Sequence, residues 1–234
     1  MQNDKANYPK FDHDEYAKTR APDDFWGQIR RTVQGKPVSD EQIKMIVDAT
    51  QAALRLKPDD KLLDLACGNG ALSHLLFDSI EEYLGVDFSD HLISVAKKNF
   101  EKLPSYGFVT QGAAEYARQE MSPEKFTKVL CYGSFSYFPA ADAAEVLRTL
   151  YEKFTNVQTV FIGNLPDKER AQAFYKAKQA STEELADHAS QIGIWRSQAE
   201  FAHMACMAGW KASFSVMPTE YYASYYRYDA LLRR

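Results

Sequence analysis

The sequence predicts an α/β fold, a doubly wound and mainly parallel sheet of seven strands with helices on both faces. Three observations lead to this fold class. Short, nearly continuous apolar runs alternate with segments of helical periodicity, which is typical of βαβ units. The first apolar run ends in a turn rich in glycine, as expected at the ligand-binding edge of such a sheet. The length of 234 residues, 45% of them hydrophobic, is sufficient for one sizeable core.

The N-terminal segment, residues 1–38, is polar and aromatic and carries three prolines, so we expect an irregular cap with short helices. A regular helix should follow it. Ser39-Asp40-Glu41-Gln42 matches a capping box, in which Ser39 and Gln42 would each bond the other residue's backbone amide. Apolar residues then recur at helical spacing until Pro58 closes the segment.

Residues 39–163 carry the alternation of strands and helices and are predicted to form the cofactor-binding core. Each predicted strand is a short apolar run of the kind that is buried on both faces. The five strands are expected at residues 61–66, 83–86, 108–109, 129–132 and 159–162. A helix is predicted after the first, second and fourth of them.

Residues 164–209 are predicted to form a long helical insertion that closes over the site as a lid. Residues 210–234 contain two late strands, 211–216 and 225–231, with no obvious helix between them. We expect these two strands to pair at one edge of the sheet, with an antiparallel C-terminal edge strand. The chain shows no internal repeat and no low-complexity linker, so a single domain is the simplest organisation.

The charge balance and the cysteine content exclude several classes of protein. A net charge of -4 argues against a dedicated nucleic-acid binder, which usually carries a basic stripe. Cys67, Cys131 and Cys206 are far apart, which fits a reduced cytoplasmic protein without a disulfide or zinc framework. The first ten residues lack the apolar segment of a secretory signal, and no run is long enough to cross a membrane. We therefore expect a cytoplasmic protein with no nucleic-acid or membrane partner.

The turn after the first strand has the residues of a ligand-binding loop. Gly68 and Gly70 allow a sharp turn and close approach of a ligand to bare backbone, and the free amides there can bind a carboxylate or phosphate. Asp87 ends the second strand, 17 positions after Gly70. A carboxylate at that place can accept hydrogen bonds from both hydroxyls of a ribose.

Asp64 places a charge inside an apolar strand. A buried carboxylate without a partner is costly, so a ligand ammonium is expected to approach it, directly or through water. A dinucleotide-binding loop would have a third glycine where this chain has Ser73. A loop that handles a ribose and an amino acid but no pyrophosphate points to S-adenosylmethionine.

On these residues the sequence resembles the class I S-adenosylmethionine-dependent methyltransferases, over most of the chain from about residue 40. The segment Leu63-Asp64-Leu65-Ala66-Cys67-Gly68-Asn69-Gly70 is similar to the first motif of that family, and Gly85-Val86-Asp87-Phe88-Ser89 to its second. The resemblance implies a Rossmann-like fold, S-adenosylmethionine as cofactor and S-adenosylhomocysteine as product.

The same resemblance implies roles for individual residues. Gly68 and Gly70 would line the methionine part, Asp87 would hold the ribose, and Phe88 would pack on the adenine. Where the family often has an acidic residue beside the adenine amine this chain has Ala113, so backbone atoms or Glu115 would substitute. The segment 131–133 would face the transferable methyl group. The expected cofactor-binding residues are Asp64, Ala66, Gly68, Asn69, Gly70, Asp87, Phe88, Ala113, Ala114, Glu115, Cys131 and Tyr132.

The acceptor is less well determined than the cofactor. Methyl transfer is an in-line displacement that mainly needs positioning, and a general base helps when the acceptor is a hydroxyl or a protonated amine. His13 and His203 are the candidates for that base. No histidine pair has zinc-like spacing, so no metal is expected. The motif residues typical of DNA, catechol and protein-arginine methyltransferases are missing, which favours O- or N-methylation of a small molecule such as a sugar or another metabolite.

Several residues of the cap, the fourth strand end and the insertion are expected to contribute to the acceptor pocket. They are Tyr16, Trp26, Arg30, Tyr137 and Trp195. The pair Arg30-Arg31 is either a solvated pair or a site for a substrate carboxylate or phosphate. The protein is expected to act as a monomer or homodimer.

Two other functions stay open on the sequence. A nicotinamide-dependent oxidoreductase is disfavoured by Ser73 and because no tyrosine is followed by a lysine four positions later. A non-catalytic module that binds S-adenosylmethionine and acts through a partner is not excluded, since methyl transfer requires no obligatory catalytic side chain.

Overall fold

A computed structural model of the protein shows one seven-stranded sheet with helices packed on both faces, which confirms the predicted fold class. The structure describes residues 10–176 and 180–234. The first nine residues of the predicted cap and residues 177–179 of the predicted insertion lie outside the described residues.

The described part of the cap consists of short elements, as predicted. Helix α1 (Lys10–Lys18) and helix α2 (Phe25–Gln28) precede a small hairpin of β1 (Thr32–Val33) and β2 (Lys36–Pro37). The α2 helix begins at Asp24, whose carboxylate accepts from the Gly27 amide at 2.9 Å.

Helix α3 (Asp40–Leu54) forms where the apolar periodicity predicts it, but the predicted capping box was wrong. Ser39 is the N-cap residue, yet its hydroxyl accepts no backbone amide. The Gln42 side chain donates instead to the Glu220 carbonyl at 3.0 Å and accepts from the Tyr222 amide at 2.8 Å. Tertiary hydrogen bonds to the C-terminal segment therefore replace the local cap and tie α3 to that segment.

The sheet has five parallel strands and a C-terminal pair at one edge. These strands are β3 (Lys61–Leu65), β4 (Glu82–Asp87), β5 (Tyr106–Thr110), β6 (Lys128–Tyr132), β7 (Thr159–Pro166), β8 (Lys211–Ser215) and β9 (Arg227–Arg233). Their order is β5–β4–β3–β6–β7–β9–β8, and β9 runs antiparallel to both of its neighbours. The order reverses direction between β3 and β6, so a crevice opens there at the carboxyl ends of the strands.

Each face of the sheet is covered by its own set of helices. The remaining α-helices are α4 (Asp90–Phe100), α5 (Ala113–Gln119), α6 (Ala140–Lys153), α7 (Ala171–Tyr175), α8 (Thr182–Ala186) and α9 (Gln198–Met207). One apolar cluster joins α3 and α4 to the sheet, and a second joins α5, α6 and α9 to the opposite face. The helix predicted after the first strand is a 3₁₀ helix, Ser73–Ser79.

The insertion is only partly helical, in contrast to the prediction. Strand β7 extends to Pro166, α7 and α8 have five residues each, and residues 187–196 contain no helix. In that irregular segment Gly193 has φ +77°, and a Cβ atom there would lie 2.5 Å from the Ser136 carbonyl oxygen. The segment can therefore lie directly against the chain that follows β6. Helix α9 belongs to the layer that covers the sheet, because its Phe201 and Ala205 are buried in the core.

In the part of the chain that the structure describes, no helix has the length and apolar character that a membrane span requires.

Candidate functional site

A cleft of about 430 Å³ lies at the carboxyl ends of the parallel strands, a volume typical of small-ligand sites. The strand ends, the cap, the insertion and the C-terminal segment all contribute walls. Among the residues that line it are Ala66, Gly68, Asp87, Phe88, Gly133, Ser134 and Asn164 from the strand ends, His13, Tyr16, Arg30 and Arg31 from the cap, Tyr137 and Phe174, and Tyr222, Tyr226 and Arg227 from the C-terminal segment. The structure therefore brings eight of the sequence-predicted site residues together here: His13, Tyr16, Arg30, Ala66, Gly68, Asp87, Phe88 and Tyr137.

The loop after β3 is held in an unusual backbone conformation by Asp87. Ala66, Gly68 and Gly70 have φ values of +59°, +61° and +73°, so left-handed residues alternate along the turn. The Asp87 carboxylate accepts from the Gly68 amide and from the Ser89 amide, each at 2.9 Å. Left-handed conformation is costly for a residue with a Cβ, such as Ala66, and persists where the surroundings fix it. Asp87 fixes the backbone of the loop at Gly68, two residues after Ala66.

Asn69 and Gly70 support the loop from behind and do not line the cleft. The Asn69 side chain is fully buried and donates to the Phe25 carbonyl at 2.8 Å and to Gln28 at 3.0 Å, which fastens the cap to the loop. A Cβ atom at Gly70 would lie 2.7 Å from the Phe108 ring. These two positions therefore govern the packing of the loop and the cap.

Asp64 lies beside a second, smaller cavity of about 70 Å³ that adjoins Gly68 and Ala66. Its carboxylate is 2% exposed and accepts hydrogen bonds from the Ser73 hydroxyl and, at 3.0 Å, from the Tyr83 hydroxyl. Burial raises the pKa of Asp64 to about 7. The protein thus supplies two hydroxyl partners for the Asp64 carboxylate, for which the sequence alone indicated no partner within the chain. The small cavity also gives a ligand access to Asp64.

Arg31 lines both cavities, whereas the sequence named it only as part of a pair that is either solvated or binds a substrate carboxylate or phosphate. The side chain is 8% exposed, and its guanidinium carbon lies 5.1 Å from the centroid of the Tyr132 ring. Its Nε and Nη1 atoms are buried without a hydrogen-bond partner among the described residues. A buried guanidinium with free donors is suited to an oxyanion. The sequence pair Arg30-Arg31 indicated such chemistry but not which member is buried.

His13, Phe88 and Tyr137 form the centre of the cleft. The His13 ring centroid lies 6.1 Å from that of Phe88 and 5.6 Å from that of Tyr137. The Tyr137 hydroxyl donates to the Gln191 carbonyl at 2.8 Å and so fastens the insertion over the site. The Ser89 hydroxyl donates to Asp14 and fastens α1 there.

Tyr16 lies in the wall next to Arg30. The Arg30 guanidinium carbon is 4.1 Å from the centroid of the Tyr16 ring, which places both side chains at the mouth of the cleft formed by the cap.

The structure places the other predicted residues away from the large cleft. Tyr132 borders only the small cavity, whereas Cys131 is buried in the opposite apolar cluster because side chains alternate along a strand. Burial raises the pKa of the Cys131 thiol. Ala113, Ala114 and Glu115 begin α5 outside the cleft, Trp26 and Trp195 pack in the core of the α3 face, and His203 is exposed on α9.

Asn164 and the C-terminal residues that line the cleft were missed. Asn164 lies at a register shift between β7 and β9, with φ +65°, which turns it out of the strand pattern. Tyr222, Tyr226 and Arg227 belong to an aromatic-rich segment far along the chain. The density of tyrosines was the one available signal, and it does not distinguish core residues from site residues.

Among the described residues, no group of histidine, cysteine and acidic side chains could hold a metal ion.

Comparison with known proteins gives one family and a common fold. The family model described as "Methyltransferase domain" matches residues 56–214, more than half of the chain. A search of curated proteins with this chain found no match.

Several solved structures are similar over most of the chain. The magnesium protoporphyrin IX methyltransferase from Synechocystis PCC 6803 with bound SAH has 16% identity and a TM-score of 0.62, and the match covers 96% of this chain and 94% of that chain. The DhpI-SAM-HEP complex has 14% identity and a TM-score of 0.65, over 96% and 95%. The cyclopropane synthase MmaA2 from Mycobacterium tuberculosis has 14% identity and a TM-score of 0.66, over 92% and 79%. At such identities the likeness concerns the fold.

The raised pKa of Asp64 predicts a pH-dependent stability that Asp64→Asn removes. The folded state holds the proton up to pH about 7, whereas an unfolded aspartate loses it near 3.8. The stability that the protonated carboxyl contributes is complete below the lower value and is lost as the pH rises to the upper one. Urea unfolding below, within and above this interval should show wild type losing stability relative to Asp64→Asn, which resembles the protonated acid at every pH. Parallel pH profiles of the two proteins would contradict this.

Proposed function

The chain belongs to the methyltransferase-domain family, and from this premise we propose that it transfers the methyl group of S-adenosylmethionine to an oxygen or nitrogen atom of a small-molecule acceptor. S-adenosylmethionine is the cofactor of this class I family. The acceptor class is the part of the proposal that goes beyond the family.

The residues present fit the cofactor, and one observation carries this conclusion. Asp64 and Arg31 line one small cavity next to Gly68, so a carboxylate and a guanidinium with free donors are available to the ammonium and carboxylate of an amino acid. Asp87 and Phe88 line the adjoining large cleft, where the ribose and the adenine would lie. The two cavities together therefore match the methionine and nucleoside parts of one ligand.

Bound S-adenosylmethionine supplies a methyl group that its sulfonium already activates. The chain's own residues have to bind, orient and exclude water. Asp87 gives the nucleoside end of the site negative charge, the Asp64 carboxyl group is available to the ammonium, and Arg31 balances the amino-acid carboxylate. His13 is the candidate to accept a proton from a hydroxyl or ammonium acceptor, because it lines the cleft beside Phe88 and Tyr137. His203, exposed on α9, has no part in this proposal.

Enclosure of the cleft supports a small acceptor. Helix α1 closes one side, and the insertion closes another through Phe174, Gln191 and Ile192. The Ser136 hydroxyl donates to the Ile192 carbonyl at 2.9 Å, which adds to the Tyr137 bond in holding the insertion there. The whole cleft, about 430 Å³, has the volume of a small-ligand site. We also propose that the protein is cytoplasmic, acts as a monomer or homodimer and has no nucleic-acid partner.

A labelling experiment tests the transfer. The purified protein is incubated with methyl-labelled S-adenosylmethionine and a cell extract that has been separated into metabolites, RNA and protein. We expect label in the metabolite fraction with wild type and markedly less with Asp87→Ala at the same cofactor concentration. Label in RNA or protein would contradict the small-molecule acceptor. Cofactor binding without transfer to any fraction would favour the non-catalytic module.

The role proposed for Arg31 can be separated from a general effect on folding. Arg31→Gln should weaken S-adenosylhomocysteine binding about 10- to 100-fold, the usual value of a charged hydrogen bond. The same substitution should leave 5′-methylthioadenosine binding unchanged, because that molecule lacks the amino-acid part. Calorimetry with both ligands measures the difference, and equal losses for the two would show that Arg31 does not contact the amino acid.

A further inference from the structure

We propose that the acceptor carries an oxyanion, and that Arg227 together with Asn164 binds it in the large cleft, outside the small cavity that Asp64 lines. This inference deepens the proposed function and rests on it. It concerns residues that the cofactor, as assigned above, does not use.

Arg227 is a buried cation with donors left over. It is the first residue of β9, is 9% exposed and lines the large cleft but not the small one. Its Nη1 donates to the Asn164 carbonyl, while its Nε is buried without a partner. No carboxylate of the described ranges pairs with it within 4.0 Å. Its guanidinium carbon lies 4.7 Å from the centroid of the Tyr226 ring, and stacking of this kind leaves the N–H groups in the guanidinium plane free for a ligand.

Asn164 presents its amide to the same side. Its backbone is fixed on both sides, because its N–H donates to Asp229 at 2.7 Å and its carbonyl accepts from Arg227. The residue keeps a left-handed φ of +65° at the end of β7, a conformation that persists where the surroundings determine it. Its Oδ1, an acceptor, is buried without a partner, so Nδ2 is the side-chain atom that would donate to an oxyanion. A Cβ atom at Gly133 would lie 3.5 Å from both Asn164 Nδ2 and Arg31 Nη2, so these two donors flank one point of the wall.

The charges that line the cleft favour an anion. Arg30, Arg31 and Arg227 face one carboxylate, Asp87, among the described residues of the wall. Asp87 is assigned to the ribose and Arg31 to the amino acid, and Arg30 stacks on Tyr16 at the mouth. Arg227 is thus a buried charge without an ion-pair partner within 4.0 Å among the described residues.

Asp229 does not act as the direct counter-charge of Arg227. It lies two residues along β9 and attracts Arg227, but one of its oxygens is occupied by the Asn164 amide. Burial raises the pKa of Asp229 to about 6, so it is mostly ionised at neutral pH, but it forms no ion pair with Arg227 within 4.0 Å and does not line the cleft. The sulfonium of the cofactor adds positive charge to the same enclosed space. An acceptor with a negative group is attracted there, and a protonated amine is repelled.

The guanidinium fork accepts both carboxylates and phosphoryl oxyanions, so the shared chemistry is an oxyanion on a small acceptor. A matched set of ring compounds tests this by saturation-transfer NMR on the full chain, with and without S-adenosylhomocysteine. Benzoate and phenylphosphonate carry the two kinds of anion, and benzyl alcohol is the neutral analogue. We expect at least one anion to bind and benzyl alcohol to bind about tenfold more weakly or not at all. The anion that binds more tightly shows whether the acceptor's negative group is a carboxylate or a phosphoryl oxyanion.

Variants assign the binding to the proposed residues. Arg227→Gln should weaken the anion about 10- to 100-fold without changing the affinity for S-adenosylhomocysteine. Arg196→Gln is the matched control, because Arg196 is also 9% exposed with an unpartnered Nη1 but lies outside the cleft. It should leave anion binding unchanged. Asn164→Asp, which adds a negative charge of the same shape, should weaken the anion even if Arg227→Gln does not fold.

The outcomes separate the two proposals. Binding of S-adenosylhomocysteine with no preference for the anions, or with a preference that Arg227→Gln and Asn164→Asp leave unchanged, would overturn the oxyanion site alone. No binding of S-adenosylhomocysteine would overturn the proposed function. In that case the titrations without it still show whether Arg227 binds an anion.

Discussion

The hydrogen bond from the Gly68 amide to the Asp87 carboxylate, 2.9 Å long, is the interaction on which the rest of the site depends. It joins the turn after β3 to the end of β4 and holds Gly68 in a left-handed conformation beside Ala66. The loop then presents its backbone to the cleft, and Asn69 behind it fastens the cap. This bond therefore links the floor of the cleft to the end of β4 and lies next to the residues that hold the cap.

Around that fixed loop the charges are divided between two ends. At the end near β3, a carboxyl group (Asp64) and a guanidinium (Arg31) line the small cavity. At the end formed by β7 and β9, Arg227 is the buried charge, and it donates to the backbone carbonyl of Asn164 at the register shift. A zwitterionic ligand fits the first end and an anion the second. The parallel sheet brings the strand ends together at the crevice. The residues that those ends and the neighbouring segments carry then decide where each charge lies.

The sequence was sufficient for the fold class, for the loop around Gly68 and for Asp87, because each depends on residues close together in the chain. Prediction from the sequence failed where the structure depends on contacts between residues far apart in the chain. Gln42 bonds residues 220–222 in place of Ser39, and the register shift at Asn164 depends on the partner strand β9. Arg31 and Arg227 become neighbours of the site only after the cap and the last strand have packed. Strand alternation could have separated Tyr132 from Cys131, but only with the register known.

The most direct test is a calorimetric titration of the purified protein with S-adenosylhomocysteine and, as the control ligand, with NAD. We expect micromolar binding of the first and none of the second, with a loss of about 1 to 3 kcal/mol in Asp87→Ala. Asp60→Ala is the matched control, because Asp60 is equally buried and hydrogen-bonded but lies at the amino end of β3. It should keep the full affinity. Binding of NAD alone, or an affinity for S-adenosylhomocysteine that Asp87→Ala leaves unchanged, would contradict the account.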